Sequence, residues 1–277
     1  MNQNVRGRPK MNLHNTIPYM IVEPGGTHEG QYLNCLVHLN QAYLAGAHAV
    51  KMQWLSNPDA LAKQRNAQQY VHAYQNIAFP ASWHEEFKLR LEKDGMDYGC
   101  SVFLEQDVKV VAPYVDFFKV SSFEAANLDL IRAMAIYKKP IIVSLGMRNY
   151  DETLTLILVL IDLKLEAPLH FLYCVTGYPV PIDQLNLSVL STGMFDGLSD
   201  HSADVTVGAR AYAAGVRIFE VHVRNDNTPM TNADYPVSLS YAELQKYVEN
   251  IKEQERYFGS PQRKVQDIER GFLQYKY

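Results

Sequence analysis

The segment "GLSDHSADVTVGARAYAAGVRIFEVHV", residues 197–223, contains two short apolar runs separated by an alanine-rich stretch with a helical pattern. The first run ends at His201, and the second carries His222 near its end. Strand, helix and strand in this order predict a crossover between two parallel strands. The two imidazoles then lie at strand ends, with Glu220 close to the second. Two satisfied core histidines and half of a metal site both account for this pattern.

The same alternation of strand-like and helix-like runs continues along the chain. Turn residues flank several of the strand-like runs, and most of the runs are rich in β-branched or aromatic residues. We predict strands at residues 19–24, 47–53, 97–103, 115–121, 140–146, 169–175, 194–200 and 216–223. Eight parallel strands with crossovers predict an α/β fold, a single-domain (β/α)8 TIM barrel. A doubly wound open sheet is the alternative, but "EPGGTHEG" after the first run lacks the G-x-G-x-x-G phosphate turn.

Length and composition agree with one barrel and exclude several classes of protein. The chain has 277 residues, which is a usual length for this fold. Its net charge of −4 argues against nucleic-acid and membrane partners. The three cysteines are odd in number and widely spaced, as in reducing compartments. We find neither an apolar leader nor a run long enough to cross a membrane, so we expect a cytoplasmic protein.

We predict the barrel over residues 17–259, an N-terminal extension over 1–16 and a tail over 260–277 that packs on the barrel or on a partner chain. The short basic stretch "RGRP" at residues 6–9 is interpreted as part of a frayed terminus. Residues 54–80 form an unusually long connection after the second strand. They form either a lid over the site or a solvated surface helix. The polar side chains that favour a lid are Gln64, Gln68, Tyr70, Tyr74 and Gln75.

Polar groups stand at or just after the end of every predicted strand, where a TIM barrel carries its active site. Alternation of side chains places Ile218, Glu220 and His222 on one face of the last strand, which we expect to face the lumen. Burying such groups without partners is unfavourable, so a whole ring of them indicates a site. The ring comprises Glu23, Lys51, Gln53, Ser101, Lys119, Ser122, Ser144, Thr176, Tyr178, Ser199, His201, Glu220 and His222.

The residue types in this ring indicate two kinds of chemistry. Two lysines among several hydroxyls are typical of a site that binds a phosphate or a carboxylate. Two neutral imidazoles beside a carboxylate fit a divalent transition metal with positions left open for substrate. For any single residue of the ring, a satisfied core polar group or an ion pair is the simpler explanation.

The order of the motifs resembles the catalytic barrel of the N-acetylneuraminate (sialic acid) synthase family, over residues 17–257. The motifs are "VEPGGTHEG", "AVKMQ", "CSVF", "KVSSFE", "SLGM", "YPVP", "SDH", "EVH" and "NADYPVS". The resemblance implies a transferase that condenses phosphoenolpyruvate with an N-acetylmannosamine-like amino-sugar aldehyde. The implied products are a sialic-acid-like nonulosonic acid and phosphate.

The resemblance also implies roles for residues of this chain. His201 and His222 would hold a divalent metal, Mn²⁺ first, with Mg²⁺ and Co²⁺ as alternatives. The implied catalytic residues are Glu23, Lys51, Lys119 and Glu220. The implied substrate-binding residues are Gln53, Ser101, Ser122, Ser144, Thr176, Tyr178, Ser199 and Asp234. We also expect a homodimer.

Four positions depart from the family pattern: Thr27 replaces Asn, Phe123 replaces Gly, Leu145 replaces Thr and Tyr235 replaces His. Family members usually continue into a C-terminal antifreeze-like domain that reaches the partner's site, and we expect this chain to be the barrel alone. Two alternatives stay open. One is a 3-deoxy-ulosonate-phosphate synthase, which would need a second basic cluster for a phosphorylated sugar. The other is a non-catalytic barrel with a binding or regulatory role.

Overall fold

Eight parallel strands close into a barrel in a computed structural model that describes residues 18–259 and 262–276. The strands pair in chain order, and β1 pairs with both β2 and β8, which closes the sheet. The predicted TIM barrel is therefore confirmed. The strands are β1 Tyr19–Glu23, β2 Ala49–Trp54, β3 Asp97–Val102, β4 Phe117–Val120, β5 Ile141–Ser144, β6 Leu169–Cys174, β7 Gly197–Asp200 and β8 Ile218–Arg224, with a two-residue β9, Leu239–Ser240, beside β8.

Helices cover the outside of the barrel, and two short ones lie in the long connection after β2. The helices are α1 Tyr32–Leu44, α2 Pro58–Gln64, α3 Val71–Asn76, α4 Trp83–Lys93, α5 Glu105–Val111, α6 Leu128–Ala135, α7 Tyr150–Asp162, α8 Val207–Ala213 and α9 Tyr241–Phe258. Helix α8 begins later than its sequence pattern indicates. The Asp204 carboxylate accepts hydrogen bonds from the amide and hydroxyl of Thr206, which holds the preceding residues in a turn.

The lumen of the barrel has an apolar lower layer below the predicted polar ring. Its side chains are Tyr19, Ile21, Ala49, Phe117, Ile142, Leu172 and Ile218. Most of them stand two residues before a polar residue of the ring, so both layers point inward, as alternation predicts. A Cβ atom at Gly99 would lie 2.2 Å from the Phe117 ring, so the lumen accepts this phenylalanine only beside a glycine.

The opposite faces of the strands pack against the helices in the main core. Phe219 and Val221 lie there, on the face of β8 opposite to the one predicted to face the lumen, and Val50 and Met52 of β2 lie there as well. Helix α7, by contrast, is not the wholly buried helix that its apolar composition suggests. Its residues Tyr150, Leu154, Leu158 and Ile161 are exposed along one face. The sequence of α7 is apolar on both sides, so it does not show which residues face the core and which form this exposed stripe.

The chain outside the barrel is only partly described. The proposed extension at residues 1–16, including "RGRP", lies outside the described residues. Residues 262–276 of the tail are all exposed, so they do not bury a face on the barrel. All three cysteines are free and buried. None of the helices in the described part of the chain has the length and apolar character that a membrane crossing requires.

Candidate active site

The carboxyl ends of the strands surround two connected compartments. The lower compartment, called here the lumen pocket, has a volume of about 50 Å³, and the wider one above it, the rim pocket, has about 720 Å³. Gln53, Phe123, Tyr178 and His222 line both compartments. The predicted residues that line the lumen pocket are Glu23, Lys51, Gln53, Ser101, Lys119, Ser122, Ser144, Tyr178, Ser199, His201, Glu220 and His222. The tertiary structure therefore brings most of the predicted ring together.

Buried charges of both signs form the floor of the lumen pocket. Lys51 Nζ lies 2.6 Å from Glu23 Oε1 and 3.5 Å from Glu220 Oε2, and Lys119 Nζ lies 3.5 Å from Glu220 Oε1. Burial lowers the pKa of Lys51, but the two carboxylates outweigh burial and raise it. Burial also lowers the pKa of Lys119, where the attraction of Glu220 does not fully compensate. The lysines hold the pKa values of Glu23 and Glu220 below the usual range against the effect of burial.

Hydroxyl groups from neighbouring strands complete this floor. Lys51 Nζ donates to Ser101 Oγ at 2.9 Å, and Lys119 Nζ donates to Ser144 Oγ at 2.8 Å. Ser199 Oγ donates to Glu220 Oε1 at 2.8 Å, while Glu220 Oε2 has no hydrogen-bond partner among the described residues. The register of the strands sets these pairs: Ser199 lies opposite Glu220, and each lysine reaches the serine two residues beyond its own cross-strand partner, which is Gly99 for Lys51 and Ile142 for Lys119. Two ammonium groups beside hydroxyls in one small space form an arrangement suited to an anion.

The two histidines face each other at the junction of the two compartments. Their ring centres are 5.4 Å apart, and the Tyr178 ring lies 4.6 Å from that of His201. His201 Nδ1 lies 3.0 Å from the carbonyl oxygen of Val175, so Nδ1 is the donor and Nε2 is left to bind a ligand. His222 Nδ1 is buried without a hydrogen-bond partner in the described structure, and its Nε2 lies 3.5 Å from Glu23 Oε2.

These imidazoles fit a divalent ion with open positions. In residues 18–259 and 262–276 there is no cluster of three or more His, Cys, Asp or Glu side chains that could hold a metal. Two imidazoles would leave coordination positions for substrate or water. Burial lowers the pKa of His201, but Cys174, Glu23 and Glu220 outweigh burial and raise it to about 9. Metal binding at His201 would therefore release a proton.

Two predicted site residues lie outside the lumen pocket. Thr176 does not line it; its hydroxyl lies 2.4 Å from the position that a Cβ atom at Gly146 would take and has no hydrogen-bond partner in the described structure. Asp234 lines the rim pocket instead, and its Oδ2 accepts a hydrogen bond of 2.6 Å from the amide of Gly26. Asp234 thereby connects the loop after β1 to the segment after β8.

The long connection after β2 covers one side of the rim pocket. Gln64, Tyr70 and Tyr74 line the pocket as the lid hypothesis predicts, whereas Gln68 and Gln75 do not. The segment is anchored, because Leu61 and Ile77 pack in a buried cluster with Leu55, Phe103 and Leu104. It is therefore a fixed wall of the pocket rather than a separate surface helix. We call residues 57–77 the lid segment.

Several residues that line the two pockets, among them Cys174, Arg65 and Glu124, are not among the site residues predicted from the sequence. Cys174 at the end of β6 lines the lumen pocket, and its Sγ lies 3.8 Å from His201 Nδ1. Leu172 points into the lumen, and side chains alternate along a strand, so Cys174 two residues later is expected to point there as well. Arg65 and Glu124 line the rim pocket and form an ion pair. Glu124 ends the quoted motif "KVSSFE", but no local signal connects Arg65 to it.

The protein has the architecture of a TIM-barrel enzyme. Its closed parallel barrel carries two buried lysines beside hydroxyl groups, an arrangement suited to an anion, and a pair of histidines above them. The model of the NeuB family matches residues 38–263. The chain belongs to the NeuB family, which confirms the resemblance inferred from the motifs.

Similar proteins agree with this assignment. The chain is 26% identical to pseudaminic acid synthase of Campylobacter jejuni (strain 81-176), over 87% of this chain and 75% of that protein. It is 26% identical to human N-acetylneuraminate-9-phosphate synthase, over 89% of this chain and 73% of that protein. Its fold is similar to that of N-acetylneuraminic acid (sialic acid) synthetase from Leptospira borgpetersenii in complex with citrate, with a TM-score of 0.84, 24% identity and coverage of 94% of this chain and 91% of that chain.

Proposed function

We propose that this chain joins phosphoenolpyruvate to the aldehyde carbon of an N-acylated amino sugar and releases a nonulosonic acid and inorganic phosphate. The observation that carries the proposal is that Gln53, Tyr178 and His222 line both the lumen pocket, with its two buried lysines, and the larger rim pocket, so the two pockets adjoin. An anion in the lumen pocket and a sugar in the rim pocket would meet beside His201 and His222. The names of the relatives, pseudaminic acid synthase and N-acetylneuraminate-9-phosphate synthase, support this reaction.

Phosphoenolpyruvate would occupy the lumen pocket. Lys51 and Lys119 would neutralise its phosphate and carboxylate, and the hydroxyls would give directional hydrogen bonds. These hydroxyls belong to Ser101, Ser122, Ser144 and Ser199. Tyr178 and Gln53 stand where the two pockets meet and would orient the enol carbon toward the sugar. Thr176, whose hydroxyl adjoins Gly146, would act by positioning the loop around that glycine.

The balance of charges supports a divalent metal. The two lysines are already paired with Glu23 and Glu220, so a bound trianion would leave negative charge uncompensated in a buried site. We propose that His201 and His222 hold Mn²⁺, with Mg²⁺ and Co²⁺ as alternatives. An ion held there supplies Lewis-acid polarisation of the aldehyde oxygen.

The reaction follows from these positions. C3 of phosphoenolpyruvate attacks the aldehyde carbon, one carbon–carbon bond forms, and the aldehyde oxygen takes up a proton to become a hydroxyl. The cationic C2 is then attacked by water, which loses a proton. The resulting C2 adduct loses phosphate by cleavage of the C2–O bond to phosphate, the C2 hydroxyl gives its proton to the departing phosphate, and C2 becomes a ketone. Lys51 and Lys119 stabilise the phosphate as it leaves.

Glu220 is the proposed acceptor of the proton from water. Its Oε1 is held by Ser199, whereas Oε2 has no hydrogen-bond partner in the described structure. A carboxylate with a lowered pKa suffices here, because water that adds to a cationic carbon becomes strongly acidic. Glu23 is held by Lys51 and Gln53, so we propose that it positions these two side chains.

The rim pocket would bind the acceptor sugar. Its volume falls within the range of small-molecule sites, and Asp234 offers a carboxylate for sugar hydroxyls. The lid segment would enclose the sugar from the side. This arrangement supports a synthase rather than a non-catalytic barrel. The sequence relatives also favour it over a 3-deoxy-ulosonate-phosphate synthase. This chain is similar to a solved structure of such an enzyme, with a TM-score of 0.67 and 14% identity, but that similarity concerns the fold alone.

We also propose that the protein acts as a homodimer through α7. The exposed stripe of Tyr150, Leu154, Leu158 and Ile161 repeats at helical spacing along one face, as in helices that pack on a copy of themselves. Light scattering after size exclusion should give twice the monomer mass for the wild type and the monomer mass for Leu158→Glu. An unchanged mass of the variant would contradict the role of this face.

Phosphate release tests the proposed function directly. The protein is mixed with phosphoenolpyruvate, Mn²⁺ and a panel of N-acylated amino sugars, and released phosphate is compared with the amount of condensation product. We expect equal amounts, dependent on all three components. Lys119→Ala should abolish release, while Lys138→Ala, which removes an exposed lysine, should not. Phosphate release without a condensation product would contradict the proposal.

A further inference from the structure

The charges around the rim pocket show which acceptor it suits. Two carboxylates line it, those of Glu124 and Asp234. Apart from His222 at the junction with the lumen pocket, Arg65 provides the one cation among the lining residues that the structure describes. The lining therefore carries more negative than positive charge before any sugar binds. The availability of the Arg65 guanidinium decides whether the pocket can accept an anionic substituent.

The Arg65 guanidinium is already committed to other groups of the protein. Its Nε donates to Glu124 Oε1 at 2.9 Å, its Nη2 donates to the same oxygen, and its Nη1 donates to the Tyr74 hydroxyl at 3.3 Å. The other carboxylate oxygen of Glu124 accepts a hydrogen bond from Ser121. Arg65 is 17% exposed and Glu124 is 4% exposed, so this pair is shielded from water. Separating it would leave a buried charge without a partner.

Aromatic rings fix the plane of this guanidinium. Its central carbon lies 4.9 Å from the ring centre of Phe123, 5.2 Å from that of Phe103 and 5.5 Å from that of Tyr74. Phe123 stands where the family pattern has a glycine, and its ring is 54% exposed at the junction of the two pockets. The rings hold Arg65 against Glu124 and present an apolar surface, which does not favour a phosphate.

The next cation along the rim does not supply the missing charge. Arg148 lies in a separate groove with Ser122, Phe123, Met147 and Glu152. Its Nη1 donates to the carbonyl oxygens of Ser122 and Gly146. Arg148 is not among the residues that line the rim pocket, whereas Phe123 lines both spaces.

Building on the proposed function, we propose that the acceptor is an uncharged, non-phosphorylated amino sugar and that the Arg65–Glu124 pair sets this selectivity. Arg65 is a positioning residue. It joins the lid segment to the loop after β4 and neutralises Glu124 rather than the substrate. A phosphorylated acceptor would meet Asp234 and Glu124 with no free cation among the described residues that line the rim pocket.

The wild-type protein tests the choice of acceptor. The value of kcat/KM is measured with phosphoenolpyruvate and Mn²⁺ for an N-acylated hexosamine and for its 6-phosphate. We expect a value lower by about tenfold or more for the phosphorylated sugar, because like charges repel across the pocket. Equal or higher activity with the phosphorylated sugar overturns the inference and leaves the proposed function intact. Inactivity with both sugars overturns the proposed function, and the inference with it.

Two variants test the ion pair, with opposite expected shifts in the ratio of the two kcat/KM values. Glu124→Gln removes a negative charge and frees Arg65, so the ratio should move about tenfold toward the phosphorylated sugar. Arg65→Gln leaves Glu124 uncompensated, so the ratio should move further toward the neutral sugar. Glu86→Gln makes the same charge change in the exposed Arg90–Glu86 pair on α4 and should leave the ratio unchanged.

A purely structural pair would lower the activity with both sugars by the same factor in both variants. Melting temperatures identify a variant that fails to fold, and the ratio measured with the other variant and with the wild type then decides. An unchanged ratio in every folded variant overturns the role of Arg65 and Glu124.

Discussion

Lys51 and Glu23 form an ion pair across the first two strands, with Nζ and Oε1 2.6 Å apart and both side chains nearly inaccessible to water. The pair lies directly above the apolar layer of the lumen. Lys51 also donates to Ser101, and Glu23 accepts from Gln53, so the two charges are part of one network rather than an isolated bridge. Such a network is stabilising only when all of its members are present.

Removing one member of this pair should destabilise the barrel. We expect Lys51→Met and Glu23→Gln each to lower the free energy of unfolding by about 3–5 kcal/mol, because each leaves a buried charge without its partner. The double variant should lose less than the sum of the two. Urea denaturation measures all three. Disruption of the exposed Arg132–Asp129 pair by Asp129→Asn is the control, with an expected change of about 1 kcal/mol or less. Strictly additive losses would contradict the coupling.

Loss of either candidate metal ligand should abolish metal binding while the fold remains. We expect His201→Ala and His222→Ala each to weaken the binding of Mn²⁺ by about 100-fold or more, as measured by calorimetry, and to eliminate turnover. His72→Ala, which removes an exposed imidazole, should bind Mn²⁺ like the wild type. Full turnover of exhaustively chelated wild-type protein would refute the proposed metal dependence.

The lid segment should affect the sugar far more than phosphoenolpyruvate. Tyr70 lines the rim pocket and is 56% exposed, so Tyr70→Ala removes contact area without opening the core. We expect the KM for the acceptor sugar to rise by about tenfold and the KM for phosphoenolpyruvate to change by less than about twofold. Tyr257→Ala on α9 removes another exposed tyrosine and serves as the control. Equal changes in the two KM values would show that the lid segment does not act on the sugar site specifically.

Acid should destabilise the protein through its buried histidines. Burial lowers the pKa of His84 to about 4 from its usual 6.5. Below pH 6.5 the unfolded chain takes up a proton at this residue, and the folded chain does so only near pH 4. The free energy of unfolding therefore falls as the pH decreases through this window, by about 3 kcal/mol for His84 alone.

Urea midpoints measured between pH 7 and pH 4.5 check this slope. We expect a smaller slope in His84→Gln, which no longer titrates, even though the variant loses the hydrogen bond to the Tyr98 hydroxyl. If His84→Gln keeps the wild-type dependence of the urea midpoint on pH, other groups cause the acid sensitivity.

The sequence by itself determined the barrel and most of its inward ring. Side chains alternate along a strand, and parallel strands in a barrel end on the same side, so Lys51, Ser101 and Glu220 follow from local patterns alone. The same rules account for the division between the lumen and the outer core. The family motifs added the implied roles of the ring residues, including metal binding by the two histidines.

Only the tertiary structure decided how separate segments meet. Arg65 and Glu124 are 59 residues apart, and their contact depends on how the lid segment packs on Phe103 and Leu104. The exposed face of α7 depends likewise on which side of an apolar helix the barrel covers. Local sequence patterns determine which way side chains point from a strand or helix. Which segments come into contact depends on the packing of the whole chain.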